Sequence, residues 1–355
     1  MKQKNSFSGQ IGFVFAAAGS AVGVGNLWRF PYLAAKDGGG LFLIIYLVLV
    51  LTVGFVLLTT DIAIGRKTGK SAIYAYESMR KKWKFLGVIT FLVPVLIMTY
   101  YAVIGGWILR YIVIYLTSSG KQAVADNCFT SFISSPSSVW YGLIFMFLTA
   151  LIVYNGVEKG IERVSKFIMP VLLIMVIGIA IFSLTLKTTL DDGTVRTGLQ
   201  GMKVYMKPDL TGITIGRFLQ ITLDAMSQLF FSLSVSMGIM ITYGSYVKKD
   251  VDLNKAVSQI EIMDTGVAFL AGVMIIPAVF AFSGGNPETL QAGPSLMFIT
   301  LPKVFASMGF GTATGIVFFV LVLLAALTSA VSLMETSVST VSYTHLRAHE
   351  TDSYL

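Results

Sequence analysis

The chain has 355 residues, of which 55% are hydrophobic and 12% charged, and its mean hydropathy is +0.78. That charge is about half the usual globular share and cannot cover a water-soluble surface of this size, so composition excludes a soluble domain and leaves a polytopic membrane protein. The formal charge of +8 sits in short loops between apolar runs, which leaves no basic-aromatic surface for nucleic acid. The 34 glycines and 16 methionines suit helices packed closely in lipid. One cysteine, Cys128, excludes an intrachain disulfide framework.

A membrane helix needs roughly 20 apolar residues. Eight segments meet that: 10–35, 41–65, 87–117, 139–155, 166–187, 216–246, 254–282 and 310–341. The first begins near Ile11 and has no small-residue cleavage site, so it reads as a retained helix and not a signal peptide. Lys2 and Lys4 precede span one, and the loop after span two carries Arg66, Lys67, Lys70, Arg80, Lys81, Lys82 and Lys84. Lys159, Arg163 and Lys166 follow span four, and Lys248, Lys249 and Lys255 follow span six. The alternate loops are sparser in positive charge, so the expected N-terminus is cytoplasmic and the chain a multi-pass protein of the cell inner (plasma) membrane.

Five spans is an odd number, so a second five-helix unit beginning at span six lies upside down relative to the first. Spans one and six are both interrupted. Span one reads Ala18-Gly19-Ser20-Ala21-Val22-Gly23-Val24-Gly25-Asn26, and span six reads Phe230-Phe231-Ser232-Leu233-Ser234-Val235-Ser236-Met237-Gly238. Small and hydroxyl residues at mid-membrane weaken a helix and free backbone groups that lipid cannot pair. One such stretch alone reads as helix packing; two, one opening each half, point to a midplane binding site in an inverted-repeat transporter.

At these residues the chain resembles the neurotransmitter:sodium symporter family, in its bacterial amino-acid branch. The most specific stretch is Gly19-Ser20-Ala21-Val22-Gly23-Val24-Gly25-Asn26-Leu27-Trp28-Arg29-Phe30-Pro31-Tyr32, followed by Gly38-Gly39-Gly40. Tyr100-Tyr101 with Trp107, the run from Gln228 to Gly238 with Thr242-Tyr243, Phe298 to Pro302, and Ala325-Ala326-Leu327-Thr328-Ser329 support it. The resemblance runs from about Phe7 to Val341. It implies an all-α membrane protein with the LeuT-like inverted five-helix repeat and broken helices one and six. Its divisions are a cytoplasmic N-terminus at 1–9, a first repeat at 10–187, an extracellular loop at 188–215 and a partial second repeat at 216–341.

The resemblance also implies a site. Sodium prefers several oxygen ligands, and unwound helix supplies carbonyls. One ion takes the carbonyls of Gly19, Val22 and Ala325 with the hydroxyls of Thr328 and Ser329. Back-bonding to the preceding turn is the plain alternative for those hydroxyls. The other ion takes the Ala21 carbonyl, Asn26, Ser232 and the Asp264 carboxylate, with the substrate carboxylate completing its shell. Asp264 lies mid-span, where an ionisable group costs about 2.5–3.5 kcal/mol on insertion scales, and is a functional candidate on that ground alone. Chloride-dependent relatives carry a neutral side chain there, so transport is expected to be chloride-independent. Monoamine carriers place an aspartate where this chain has Gly23, so the expected substrate brings its own carboxylate. Ala21, Gly23, Gly25, Ser232 and Tyr101 face its main chain, Phe231 lids the pocket, and carbonyls near Phe231 and Ser234 take its ammonium. Ile97, Ile104, Phe231, Ser236, Met237 and Ser329 line the side-chain pocket, whose apolar character implies a hydrophobic or aromatic amino acid. Arg29 belongs to the outer gate, and Lys4, Phe7 and Tyr246 to the inner one. No cofactor is implied beyond co-transported sodium.

Three departures stand out. The family has about twelve spans and this chain has eight, so the second repeat is expected to be incomplete. Both histidines, His345 and His349, fall within 342–355, a stretch unlike the family's membrane segments that reads as a non-native tail. An inner-gate carboxylate expected near position 343 is Tyr343. The rival readings are a channel, a transport-dead amino-acid sensor and an inactive truncated fragment. An enzyme is excluded by the lack of histidine in the spans, of an acid pair on one helix face, and of a nucleophile with a nearby base.

Overall fold

In the computed structural model the described residues are 6–189, 193–282 and 293–352, with side chains described to 342. Lys2 and Lys4 lie outside them. The chain is a bundle of helices: α1 (Gln10–Ala21), α2 (Phe30–Lys36), α3 (Gly40–Leu49), α4 (Phe55–Thr68), α5 (Ala72–Met79), α6 (Lys84–Ser118), α7 (Cys128–Ile133) and α8 (Ser137–Tyr154) come first. Then follow α9 (Arg163–Thr185), α10 (Gly198–Met206), α11 (Ile215–Ser232), α12 (Ile239–Ser245), α13 (Leu253–Phe282), α14 (Leu301–Ala306) and α15 (Gly311–Asp352). Its one described sheet is a ribbon of β1 (Lys187–Thr189) paired antiparallel with β2 (Val195–Thr197).

Six of the described helical segments are long and apolar enough to cross a bilayer: Gly40–Thr68, Lys81–Ser118, Ser137–Tyr154, Val157–Thr185, Leu253–Phe282 and Gly311–Ser342. A seventh is the pair Gln10–Ala21 and Gly25–Lys36, bent by 53°. The eighth expected span is α11 and α12, parted by residues 233–238. Span five starts at Val157 and not at 166, more than two turns earlier than expected, because a π-helical turn, Val157–Glu162, precedes α9. The last helix runs on from Val341 to Asp352. The segment 188–215 holds β2 and α10 as well as loop. Thr197 begins α10 with a reciprocal cap, its hydroxyl accepting from Gln200 N–H while the Gln200 side chain accepts from Thr197 N–H.

The core gathers around the two broken helices. α1 packs against α9, α13 and α15, and α12 packs against α4. Apolar faces on α8 and α6 stay exposed, with Trp140, Phe147 and Leu96 all more than 60% accessible. On a membrane protein those faces meet acyl chains.

The breaks have visible local causes. Helix α1 stops because Val22 is extended (φ −74°, ψ 94°), and the chain resumes as a π-helical turn, Gly25–Arg29, that runs into α2. The second break holds three left-handed residues in alternation, Ser234 (φ 53°), Ser236 (φ 61°) and Gly238 (φ 75°). Only glycine adopts that region without penalty, so the two serines carry strain. Ser236 N–H is met by the buried Asp61 carboxylate at 2.7 Å, which pairs a donor that no helical carbonyl can reach.

Strain at Ser236 leads to a stability expectation. Ser236→Gly relieves the left-handed penalty by about 0.5–1 kcal/mol and raises the unfolding temperature by about 1–2 °C. Gly238→Ala shifts it the opposite way, because its Cβ would also lie 3.1 Å from Ala72 Cβ. Thermal unfolding in detergent reads both.

Candidate functional site

Side chains and carbonyls of both breaks converge on one small cavity of about 30 Å³. From helix one, Gly23 N–H donates to Asn26 Oδ1 at 3.2 Å and Val24 N–H donates to the Tyr101 hydroxyl at 3.3 Å. The freed carbonyl of Ser20 accepts from the Ser329 hydroxyl at 3.0 Å and from the Ser234 hydroxyl at 3.4 Å. Gly19, Ser20 and Ser329 are thus in contact across 310 residues of sequence, since Ser329 also reaches the Gly19 carbonyl at 3.5 Å.

Beside the cavity lies a fully buried polar knot. Asn26 Nδ2 donates to Asp264 Oδ1 at 2.7 Å and to Ser232 Oγ at 3.0 Å. Ser232 Oγ lies 2.8 and 2.9 Å from the two Asp264 oxygens. One residue from each broken helix therefore meets one carboxylate from α13. Turning the Asn26 amide over presents its oxygen to the knot instead, a choice made by whichever partner, donor or cation, sits there. The other expected group is looser. Thr328 Oγ1 back-bonds to Leu324 O at 3.2 Å and Ala325 O at 3.1 Å, the alternative weighed from the sequence. Its Cβ nevertheless lies only 3.2 Å from a Cβ placed on Gly19. Val22 O is part of the same break, where Val22 N–H closes α1 on Ala18 O at 2.7 Å.

Ala21, Gly23, Gly25, Ile97 and Tyr101 line the cavity, as do Phe231, Ser234, Met237 and Ser329. Three expected pocket residues do not. Ser232 is turned into the knot with Asp264. Ile104 is buried but stands two turns beyond Ile97 on α6, away from the cavity. Ser236 is exposed, because its left-handed backbone points the side chain out while its N–H turns to Asp61. Ser20, Ile239, Ser332 and Leu333 line the cavity and were not expected. Ser332 follows Ser329 by three residues on α15, a spacing that puts both on one face, and its hydroxyl lies 2.7 Å from that of Ser20.

Two glycines shape this space. A Cβ on Gly25 would meet Phe231 Cε1 at 2.5 Å, and one on Gly23 would meet Ser329 Oγ at 2.7 Å and Tyr101 Oη at 3.0 Å. The Phe231 ring can cover the cavity only because residue 25 has no side chain.

The cavity is closed at both ends. Above Phe231, Arg29 donates to Ser227 Oγ at 2.9 Å and Gln228 Oε1 at 3.3 Å. Lys36 pairs with Asp224 at 2.9 Å, and Arg217 with Asp37 at 3.0 Å. Burial pushes the Asp37 carboxyl up to about 6, against the pull of Lys36 and Arg217. At the opposite end Phe7 is 1% exposed, its N–H donates to Tyr246 O at 3.1 Å, and its ring meets Tyr243 and Tyr246 edge-on. The Tyr246 hydroxyl donates to Glu335 Oε1 at 2.6 Å. Glu335 is thus a carboxylate at this closure, eight residues before the position where one was sought.

Two paired helix breaks, closed over a cavity at mid-membrane, carry a family signature that comparison with known proteins makes definite. A family model described as the sodium:neurotransmitter symporter family matches residues 4–139 and 127–352. The chain belongs to that family. It is 40% identical over 346 residues to the "Uncharacterized sodium-dependent transporter YhdH" of Bacillus subtilis (strain 168), covering 94% of this chain and 72% of the relative. It is 25% identical over 373 residues to the "Sodium- and chloride-dependent taurine transporter" of Canis lupus familiaris, of which it covers 58%. Among solved structures it is similar to MhsT in complex with L-phenylalanine, with a TM-score of 0.80 and 38% identity over 94% of this chain and 74% of that one. As a symporter of this family the chain is a multi-pass, all-α membrane protein, a sodium-dependent transporter and not an enzyme.

The tight contacts at the two glycines give a direct expectation for this symporter. Gly23→Ala and Gly25→Ala each lower sodium-dependent uptake by about tenfold or more, because neither site can take a methyl without displacing Ser329, Tyr101 or Phe231. Uptake within twofold of the parent would show that these close contacts do not govern transport.

Proposed function

We propose that the chain imports a hydrophobic or aromatic amino acid together with sodium by alternating access, across the cell inner (plasma) membrane with its N-terminus cytoplasmic. The observation that carries this is the meeting of Asn26, Ser232 and Asp264 beside a cavity edged by two helix breaks. One sodium binds between the Ala21 carbonyl, Asn26, Ser232 and Asp264. A second binds between the carbonyls of Gly19, Val22 and Ala325 and the hydroxyls of Thr328 and Ser329. Hard oxygens, mostly uncharged, suit a monovalent ion that must also be released.

The amino acid's carboxylate approaches the Gly23–Gly25 backbone and the Tyr101 hydroxyl, while its ammonium is received by carbonyls near Phe231 and Ser234. Ile97, Phe231, Met237 and Leu333 surround its side chain, and their apolar surface supports a hydrophobic or aromatic substrate. So does the phenylalanine named for MhsT. A space of 30 Å³ holds about one water, so an amino acid fits only once Phe231 and the outer helix halves have moved. Sodium and substrate then share one shell, and each raises the other's affinity.

Asp264 also carries the chloride argument. A fixed carboxylate supplies the negative charge for which a neutral residue would need a bound anion. The taurine relative is named for sodium and chloride, and the bacterial one for sodium alone. Uptake into proteoliposomes with chloride replaced by gluconate is expected to stay within about twofold, since no anion is needed to balance the site. In the same medium Asp264→Asn lowers uptake by about tenfold or more, and added chloride restores part of it. A parent protein that stops working in gluconate refutes the reading of Asp264.

A further inference from the structure

Glu162 ends the π-helical turn before α9 and is 2% exposed. Its carboxylate hydrogen-bonds to Ser8 and to Lys166, one turn along its own helix. Ser8 N–H donates to Oε2 at 2.8 Å, the Ser8 hydroxyl donates to Oε1, and the Lys166 ammonium lies 2.5 Å from Oε1. Lys166 also reaches Ser8 Oγ at 3.1 Å, and Lys248, beyond α12, donates to the Ser8 carbonyl at 3.0 Å. Gly12, on the first turn of α1, faces the carboxylate so closely that any Cβ there would overlap it.

Helix α1 lacks what a helix start ordinarily has: no side chain caps it, and no acidic residue lies in its first turn. Glu162 supplies that missing negative charge from another helix. Hydrogen bonds to an ionised acceptor are roughly twice as strong as neutral ones, and shielding from water strengthens them further. Phe7, buried against Tyr243 and Tyr246, closes the bundle on the side of α1 and α12, and Glu162 is what holds its neighbour Ser8 to α9.

We propose that Glu162 is a positioning residue for transport: it latches the N-terminal half of broken helix one to α9, and the step that opens the N-terminal side of the cavity breaks these bonds. This rests on the transport activity of the family and not on the choice of substrate or ion ligands. With the latch intact the closed arrangement is favoured; with it weakened the open one gains population.

The test uses the full chain in lipid nanodiscs, followed by hydrogen exchange read on peptides covering 10–21 and 25–36. Glu162→Gln keeps the shape and removes the charge, and Ser8→Ala removes one donor. Each is expected to speed exchange in 10–21 by about tenfold while 25–36 stays at the parental rate. The double variant is expected to be no faster than Glu162→Gln alone, because both act on one set of bonds. A second measurement places a reporter cysteine at the buried Ser332 in a Cys128→Ser background, where a water-soluble maleimide reacts about tenfold faster once Glu162 is neutral. Unchanged exchange in 10–21 overturns the proposal. So does equal acceleration in both peptides, which marks general loosening, or effects of Ser8→Ala and Glu162→Gln that multiply.

Discussion

A peptide group without a partner is costly in hydrocarbon, and two spans of this chain stop being helical partway along their length. Everything near the cavity follows from how those groups are paired. Asn26 and Tyr101 accept from Gly23 and Val24, Asp61 accepts from Ser236, and Ser329 and Ser234 donate to Ser20. Beyond the two breaks themselves, these partners come from three helices, α4, α6 and α15, so each break is held open only while the whole bundle is assembled. Carbonyls left with spare lone pairs then face a common space. That surplus is the raw material for binding a cation.

The ties between the broken helices differ between the two halves of the membrane. On the side of α2 and α11 there are three polar links in succession, through Arg29, Lys36 and Arg217. α2 and α11 are therefore coupled to each other along much of their length. On the side of α1 and α12 the closure is aromatic, with Phe7 wedged among Phe13, Tyr243 and Tyr246, and its polar anchors run both across the pair, from Phe7 N–H to Tyr246 O and from Lys248 to Ser8 O, and outward to Glu162 and Glu335. The first end is tied within the pair of broken helices; the second is tied both within the pair and from outside it. Opening either end requires a different set of bonds to break.

Much of this was legible in the sequence because lipid constrains it tightly. Span lengths, the two interrupted segments, and isolated polar residues such as Asn26 and Asp264 all stand out against apolar surroundings. What failed depends on backbone direction. Ser236 has the right spacing for the pocket, but a φ of 61° swings its side chain outward, and spacing along a helix says nothing of a residue that is not helical. Ile104 has helical spacing and lies too far along α6. Ser20 stands inside the first interrupted stretch and Ser332 one turn past Ser329 on α15, and neither was assigned to the pocket. Glu335 and Glu162 meet partners 89 and 154 positions away, so no local pattern marks them.

Between α3 and α4 the helix passes through a π-helical turn, Val50–Gly54. Such a turn amounts to one extra residue in the spiral, which shifts the heading of everything after it by about 100°. Tyr46, before the turn, and Asp61, after it, both point inward, the latter onto the kink at Ser236. Losing a single residue from this stretch would leave the rod just as greasy and almost as long, yet the portion after the turn would corkscrew and carry the Asp61 carboxylate toward the acyl chains. The membrane-insertion signal would survive intact while the brace for the sixth span vanished.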